Sequence, residues 1–290
     1  MITSKVKIHL VLVAGLLAWI MGMQPVGAES LSHRLTTFPQ WSHPSHLQRA
    51  VGDLYYPHWF AGTWDVQTQL MDMVAPLSPQ IVTPGFESNR RYLNHPLEFR
   101  VRFLPPTPPS RNLMVPGMLQ FRNDRPTSPL VADRRFNSLN LTRAYFQFAS
   151  SINQLVKDGE LTIQIDPMNP NRQITFWGSG RQLISTVTAR RTEQPDTHHF
   201  LTCELSQQEF RNLGQNYINQ VETTTAYSYF GLSDVHQPVF TADQVTAIYL
   251  SPQDPQFFIA RDRPVALYRY QLHFYSLPKE GVEASIAHGS

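Results

Sequence analysis

Residues 62–70 read GTWDVQTQL, and this stretch is the clearest β-strand signal in the chain. Every second residue from Trp64 to Leu70 shares one face, and the polar residues between them share the other. Such alternation predicts a half-buried strand, because successive side chains of a strand point to opposite faces of its sheet. Sheets with one face in a core and one face in solvent are typically antiparallel.

The same alternation recurs along most of the chain, in segments that are joined by short links rich in turn-forming residues. The other nine segments with strand character are 86–93, 97–103, 160–165, 172–178, 182–190, 198–205, 217–229, 243–250 and 265–275. Ahead of them, Leu47, Val51 and Leu54 recur at helical spacing. Closing a sheet on itself removes its exposed edges. The sequence therefore predicts an all-β, mainly antiparallel fold: a lipocalin-like closed β-barrel of about 8–10 strands with a short N-terminal helix.

The chain divides into a targeting segment, a leader, one large domain and a tail. Residues 1–28 combine two lysines, an apolar run and a small-residue ending at Ala28, which predicts a cleavable signal peptide. The alternative is an uncleaved membrane anchor, for which about 16 apolar residues are short. We expect an extended leader over 29–45, a single β-barrel domain over 46–277 and a flexible C-terminal tail over 278–290.

One long connection interrupts the predicted strands, the Pro-rich excursion of residues 104–142. Its first part cannot form an internal strand, because proline lacks the backbone donor that a sheet needs. Its later part predicts a short helix, with Asn137, Ser138 or Asn140 available as the N-cap. Long loops of this kind are often functional, and a plain insertion is the alternative.

Charge and motif content exclude several classes of function. The chain has 24 basic and 22 acidic residues, and removing the two lysines of the signal segment leaves 22 of each, which gives no footprint for nucleic acid. Cys203 is the only cysteine and reads as a small buried hydrophobe rather than a catalytic thiol. His198 and His199 are adjacent and face opposite sides of a strand. We therefore expect no metal site and no cofactor, and the absence of nucleophile or phosphate-binding motifs favours a non-enzymatic protein.

Hydroxyl-bearing and aromatic side chains share one face of the strand at 217–229. Such a face suits the lining of a pocket for an amphiphilic molecule, although it is also typical of a half-buried sheet. The tyrosines of the last strand point to the same interior, and two residues of 86–93 alternate toward a cavity. The candidate ligand-binding residues are Arg90, Tyr92, Thr223, Thr225, Tyr227, Tyr229, Tyr268 and Tyr270. The alternative for the segment at 86–93 is a solvated Glu87–Arg91 pair beside a half-buried Tyr92.

The GTW motif of residues 62–64, at the start of the first strand, resembles the opening of lipocalin-like, or calycin, barrels. The resemblance implies that Trp64 plugs the closed end of the barrel and that an arginine of the last strand lies against it. The matching residue is Arg269, in VALYRYQLHF. Its apolar neighbours Tyr268 and Tyr270 form the opposite face, so the contact needs either a bulge that turns Arg269 inward or a Trp64 that is reached from the end of the barrel.

Longer blocks resemble an uncharacterised protein family of cyanobacteria and plastids over about residues 50–276. They include WFAGTWDV, VTPGFESNRRYLN, DPMNPNRQIT, GRQLISTVTARR, NQVETTTAYSYF and YLSPQDPQFF. The resemblance implies an exported protein of the thylakoid lumen or periplasm, and it carries no activity.

These observations together predict an exported, non-enzymatic β-barrel protein that binds a small amphiphile such as a lipid, pigment or quinone. The mature form is expected not to span the membrane. The alternative is an auxiliary assembly or repair factor that docks on a photosystem or another thylakoid membrane complex through the 104–142 excursion. A second alternative is an enzyme of pigment or lipid metabolism.

Overall fold

The computed structural model describes residues 29–106, 129–148, 161–178, 180–212, 215–231 and 237–277. The expected signal peptide, the Pro-rich residues 107–128 and the expected C-terminal tail lie outside the described residues. Residues from Leu31 onward form one compact unit, and all contacts given below lie within it. No helix among the described residues is long and apolar enough to cross a membrane.

Strands make up most of the described chain. They are β1 Gln48–Arg49, β2 Tyr55–Tyr56, β3 Gly62–Val74, β4 Pro96–Leu104, β5 Leu130–Ala132, β6 Thr162–Asp166, β7 Asn169–Trp177, β8 Arg181–Glu193, β9 His199–Asn212, β10 Gln215–Tyr229, β11 Phe240–Leu250 and β12 Ala266–Ser276. The helices are α1 Leu31–Thr36, α2 Arg134–Phe148 and α3 Phe257–Ala260, with short 3₁₀ helices at His58–Phe60 and Glu87–Tyr92.

All the strands join one antiparallel sheet in the order β2-β5-β4-β3-β12-β11-β10-β9-β8-β7-β6, and β1 pairs beside β8. Strands β6 to β12 follow one another as a meander, and β12 then pairs with β3. The mostly antiparallel β fold is therefore confirmed. Within the described residues the first and last strands of this order do not pair with each other, and the sheet is a strongly curled half-barrel.

Aromatic contacts show which face of the sheet is concave. The ring of Tyr56 lies 4.8 Å from that of Phe103 on β4 and 5.7 Å from that of Phe200 on β9, measured between centroids. Strands β4 and β9 are five positions apart in the sheet. Side chains so far apart share a neighbour only because the sheet curls toward their face. The core of the concave face contains Phe60, Trp64, Val66, Phe103, Leu130, Phe200, Val239, Phe240, Ala242 and Phe274.

Helix α2 covers the concave side between β4 and β6, both of which it contacts. The helix predicted in the later part of the excursion is therefore confirmed, but its cap is Asp133. The Asp133 carboxylate accepts a hydrogen bond from the backbone N–H of Phe136 at 3.0 Å, which satisfies a donor of the first turn. Asn137 instead accepts from the backbone N–H of Arg102 at 2.7 Å, and Ser138 donates to Gln173 of β7 at 2.9 Å.

The convex face is covered by residues 31–45, the segment expected to be an extended leader. It contains α1, whose first backbone N–H donates to the Glu193 carboxylate at 3.1 Å. Leu35 and Trp41 are buried against Val245 and Leu267 of the sheet. The segment is an integral layer of the fold, because it buries apolar side chains of the convex face that would otherwise meet water.

Two predicted elements are wrong. The segment 86–93 forms a 3₁₀ helix rather than a strand, since Glu87 and Arg90 are three residues apart and pair across one turn at 3.0 Å. The helical spacing of Leu47, Val51 and Leu54 does not produce a helix. There Gly52 adopts φ +62°, which an α-helix excludes, and Val51 is 80% exposed.

Candidate functional site

The middle of the concave face contains a partly open cavity of about 380 Å³, which we call the central cavity. Its walls come from β2, β3, β4, β5, β10, β11, β12 and α2. The lining residues are Tyr56, Val66, Thr68, Phe99, Val101, Phe103, Ala132, Asn137, Leu141, Tyr145, Tyr227, Gln244, Thr246, Tyr270, Leu272 and Phe274. None of these described residues carries a charge. Aromatic and aliphatic walls with a few hydroxyl and amide groups are typical of small-molecule sites.

The polar side chains of this face are held in place by one another. Thr225 donates to the Gln244 amide at 3.3 Å, and the hydroxyls of Thr223 and Thr246 lie 3.5 Å apart. Burial raises the pKa of the Tyr270 hydroxyl well above its usual value, and the neighbouring Tyr145 raises it further. The hydroxyls therefore remain protonated at neutral pH and offer a ligand both a donor and an acceptor.

A second cavity of about 680 Å³, which we call the end cavity, follows the central cavity along the same face. Thr246 and Tyr270 line the central cavity, whereas Ile248 and Tyr268, two residues along the same strands, line the end cavity. The complete lining is Thr83, Pro84, Asn89, Gln208, Phe210, Asn216, Tyr217, Asn219, Ile248 and Tyr268. Asn89 donates to the Tyr268 hydroxyl at 3.1 Å. The two cavities lie next to each other along the concave face, and we call them together the concave groove.

Aromatic rings fill the concave face at the end opposite the end cavity. Trp64 donates its indole N–H to the backbone carbonyl of Phe60 at 2.8 Å, and its ring lies 5.0 Å from that of Phe240. Tyr229 stacks on Trp59 with centroids 5.1 Å apart. This end is therefore packed with side chains, and open space begins only toward the middle of the sheet.

A cluster of three charged side chains lies near Tyr227 of the central cavity. The Glu204 carboxylate of β9 is 3.1 Å from the Arg190 guanidinium and 3.5 Å from that of Arg134 on α2. Its negative charge reaches the interior, because it adds to the effect of burial in raising the pKa of Tyr227. The cluster ties α2 to the strands across the open side of the half-barrel.

The sequence-predicted ligand residues divide into two groups. Tyr227 and Tyr270 line the central cavity and Tyr268 lines the end cavity, while Thr223 and Thr225 lie on the same face. The other three lie elsewhere. Arg90 is exposed and paired with Glu87, Tyr92 packs against Tyr145 and Phe148, and Tyr229 stacks at the filled aromatic end.

The structure does not bring Arg269 and Trp64 together. In the β3–β12 register the partner of Trp64 is Ser276, whereas the partner of Arg269 is Asp72. Arg269 lies on the convex face, where its guanidinium binds the Asp243 carboxylate at 3.0 and 2.7 Å. The bulge at Arg269/Tyr270 does not turn the arginine toward the interior. The alternation along β12 correctly predicts that Arg269 lies on the face opposite Tyr268 and Tyr270, whereas the lipocalin resemblance placed it against Trp64.

We expect Arg269→Ala to lower the free energy of unfolding by less than about 1 kcal/mol, because partly exposed ion pairs are screened by water. The side chains of Arg269 and Asp243 are 38% and 39% exposed. Urea unfolding of the wild-type protein and the variant measures the difference. A loss above about 2 kcal/mol would contradict the surface placement and favour a barrel-closing role.

Sequence reasoning assigned no site to two buried polar residues, Asn219 and Glu222. Asn219 on β10 lies in the end cavity, and Glu222 on the opposite face forms a buried ion pair with Arg34. The sequence signal for Glu222 is a single acidic residue within a run of strand formers, VETTTAY. Nearby Cys203 is buried, and burial raises the pKa of its thiol to about 12, so it is not a reactive thiolate. Among the described residues no three His, Cys, Asp or Glu side chains gather as a metal site.

The fold and the groove define a mostly antiparallel β-protein whose curled sheet encloses a largely uncharged cavity. The chain belongs to the family described as Domain of unknown function (DUF6816), which matches residues 48–277. This range agrees with the expected membership of an uncharacterised family. No match is found among curated proteins, and none among solved structures.

Proposed function

We propose that this protein binds a small amphiphilic molecule in the concave groove and catalyses no reaction. The observation that carries the proposal is the central cavity of about 380 Å³, lined by aromatic and aliphatic side chains. Ligand sites of this size bury most of a small molecule and use a few polar groups to orient it. Thr246, Gln244 and Asn137 supply such groups here.

The half-barrel is suited to this role in the manner of a lipocalin-like barrel, with α2 in place of the strands that would complete the wall. A lipid, pigment or quinone has the required combination of an extended apolar body and a polar group. We propose an exported protein of the thylakoid lumen or periplasm of a cyanobacterium or plastid, as the signal-like segment and the sequence blocks suggest.

The docking alternative rests on the Pro-rich part of the excursion, which lies outside the described residues, and it stays a prediction. The enzymatic alternative has less support. Among the described residues lining the two cavities there is no carboxylate, histidine, lysine or thiol with which to begin acid–base or nucleophilic chemistry.

The direct experiment is mass spectrometry and absorbance spectroscopy of small molecules extracted from residues 29–290 purified from the native host. A stoichiometric amphiphile supports the proposal. An empty protein that also fails to take up the neutral probe N-phenyl-1-naphthylamine contradicts it. Fluorescence titration with this probe is possible whatever the natural ligand is.

We expect Thr246→Phe to weaken binding of N-phenyl-1-naphthylamine by about tenfold or more, because the added ring occupies the central cavity and excludes a ligand of similar size. Fluorescence titration measures the change. The matched control is Thr241→Phe on the same strand, where Thr241 is likewise half-buried but points to the convex side. Equal weakening in both variants would place the probe outside the cavity and contradict the proposal.

A further inference from the structure

The end cavity has a different chemistry from the central cavity. Four carboxamide side chains line it, those of Asn89, Gln208, Asn216 and Asn219. Each carboxamide offers both donors and an acceptor, as does the hydroxyl of a ligand. The rings of Phe210, Tyr217 and Tyr268 add flat apolar area to the same wall. This combination matches a molecule that is polar at its edge and apolar on its faces.

Two buried polar atoms at this cavity point to a ligand. Asn219 is 4% exposed, and neither its Oδ1 atom nor the Tyr217 hydroxyl has a hydrogen-bond partner of ordinary geometry among the described residues. Leaving a buried polar group unpaired costs about 1–3 kcal/mol, so such atoms are rare in folded proteins. Asn219 Oδ1 is an acceptor and the Tyr217 hydroxyl is a donor and acceptor, so together they can bind a ligand hydroxyl.

The charge around the end cavity argues against an ionic ligand. None of its described lining residues is charged. Burial raises the pKa of the Tyr217 hydroxyl, the adjacent Asn219 side chain lowers it, and the negative charge of Asp254 raises it. An anion such as phosphate, or a cation such as ammonium, would lose its hydration there without gaining a lining residue of opposite charge, which is unfavourable. The occupant is therefore neutral.

We infer that the end cavity binds a neutral polyhydroxyl group, such as a hexose ring. The inference rests on the proposed function, because it names the polar head of the amphiphile whose apolar part lies in the central cavity. A hexose presents hydroxyls around its rim to the carboxamides, and it presents its C–H faces to the aromatic rings. The same chemistry is available from a free sugar and from a glycolipid.

Isothermal titration calorimetry with short-chain probes tests this assignment. The probes are octyl β-D-glucopyranoside below its micellar concentration, octanol, octyl sulfate and methyl β-D-glucopyranoside. We expect the octyl glucoside to bind the wild-type protein about tenfold or more tighter than octanol, because the sugar supplies partners to the unpaired atoms. In Asn219→Leu and Tyr217→Phe this advantage should be lost, while octanol and N-phenyl-1-naphthylamine bind as before.

Two controls separate a binding role from a structural role. Gln220→Leu, on the same strand but the opposite face, should keep the preference for the glucoside. Asn219→Leu should have an unfolding midpoint no lower than that of the wild type, because leucine removes an unpaired buried acceptor at similar volume. A large loss of stability in Asn219→Leu would show that the amide serves the fold, and it would overturn the assignment.

Each pattern of binding decides between the two proposals. If octanol and the naphthylamine probe bind but the glucoside is no tighter, the sugar assignment falls and the amphiphile proposal stands. Tighter binding of octyl sulfate than of the glucoside also overturns the assignment. If methyl glucoside binds as tightly as the octyl form and the apolar probes fail, the occupant is a free sugar and the amphiphile proposal falls. Failure of all the probes overturns both.

Discussion

Arg34→Met should lower the free energy of unfolding by about 3–5 kcal/mol, which is the usual cost of breaking a buried ion pair by removing one partner. The Arg34 guanidinium donates to the Glu222 carboxylate at 3.0 and 3.2 Å, and the two side chains are 4% and 0% exposed. Without the arginine, the Glu222 charge remains buried with hydrogen bonds from only neutral groups. Urea unfolding at pH 7 measures the loss.

The effect should also reach the convex layer of residues 31–45. Arg34 lies over the Trp41 ring at 3.9 Å, and Glu222 accepts hydrogen bonds from the backbone and hydroxyl of Ser45 at 3.0 and 2.7 Å. The carboxylate therefore fastens both ends of this layer to β10. We expect the fluorescence of Trp41 to shift to longer wavelength in the variant, since the indole gains contact with water.

Two further variants test the cause. Arg34→Met combined with Glu222→Leu should recover part of the lost stability, because an apolar pair leaves no buried charge. Arg269→Ala removes an arginine from a partly exposed pair on the same face and should have a small effect. A loss below about 1 kcal/mol for Arg34→Met, or a double variant less stable than both single variants, would contradict the ion-pair explanation.

The fold was predictable where one strand face meets a core and the other meets water. Residues 64–70 alternate for that reason, and β3 lies where the alternation predicted it. Helix α1 was not predictable, because six residues are too few to be stable alone and it is held by Glu193, distant in sequence. Whether the sheet closes into a barrel could not be predicted from the sequence either. The edge strand β2 and its neighbour β5 have only two and three residues, and a helix occupies the open side.

The candidate site was predictable only in part. Alternation placed Tyr227 and Tyr270 on the interior face, because hydroxyl-bearing aromatic residues on a strand suggest a pocket. Asn219 carried no such signal, since an amide on a strand normally indicates solvent exposure. It is buried where the curled sheet and residues of the 83–89 segment line the same cavity. The pairing of Arg34 with Glu222 spans 188 residues, and no local pattern contains it.

Raising the pH from 8 to 10 should lower the free energy of unfolding by roughly 2–3 kcal/mol, with about 1 kcal/mol from Cys203. Burial first, and then the Glu222 charge, raise the pKa of the Cys203 thiol from 9.0 to about 12. Burial likewise raises the pKa of Tyr56, Tyr227, Tyr249 and Tyr270 above 10.0. The unfolded chain therefore releases these protons at lower pH than the folded protein does. Stability that is complete below about pH 8 is lost as the pH rises through 9 and 10.

Urea unfolding at half-unit steps of pH measures this loss, and Cys203→Ser isolates the contribution of the thiol. Serine does not titrate in this range and can accept the hydrogen bond that Thr224 donates to the Cys203 sulfur at 3.1 Å. The variant should therefore lose about 1 kcal/mol less between pH 8 and pH 10 than the wild type, whatever its stability at pH 8. A wild-type stability that does not change from pH 8 to pH 10, or identical slopes in the two proteins, would mean that the thiol is not buried in the folded state. The network of Arg34, Glu222 and Cys203 would then be open to water. The large loss in the free energy of unfolding would no longer be expected for Arg34→Met.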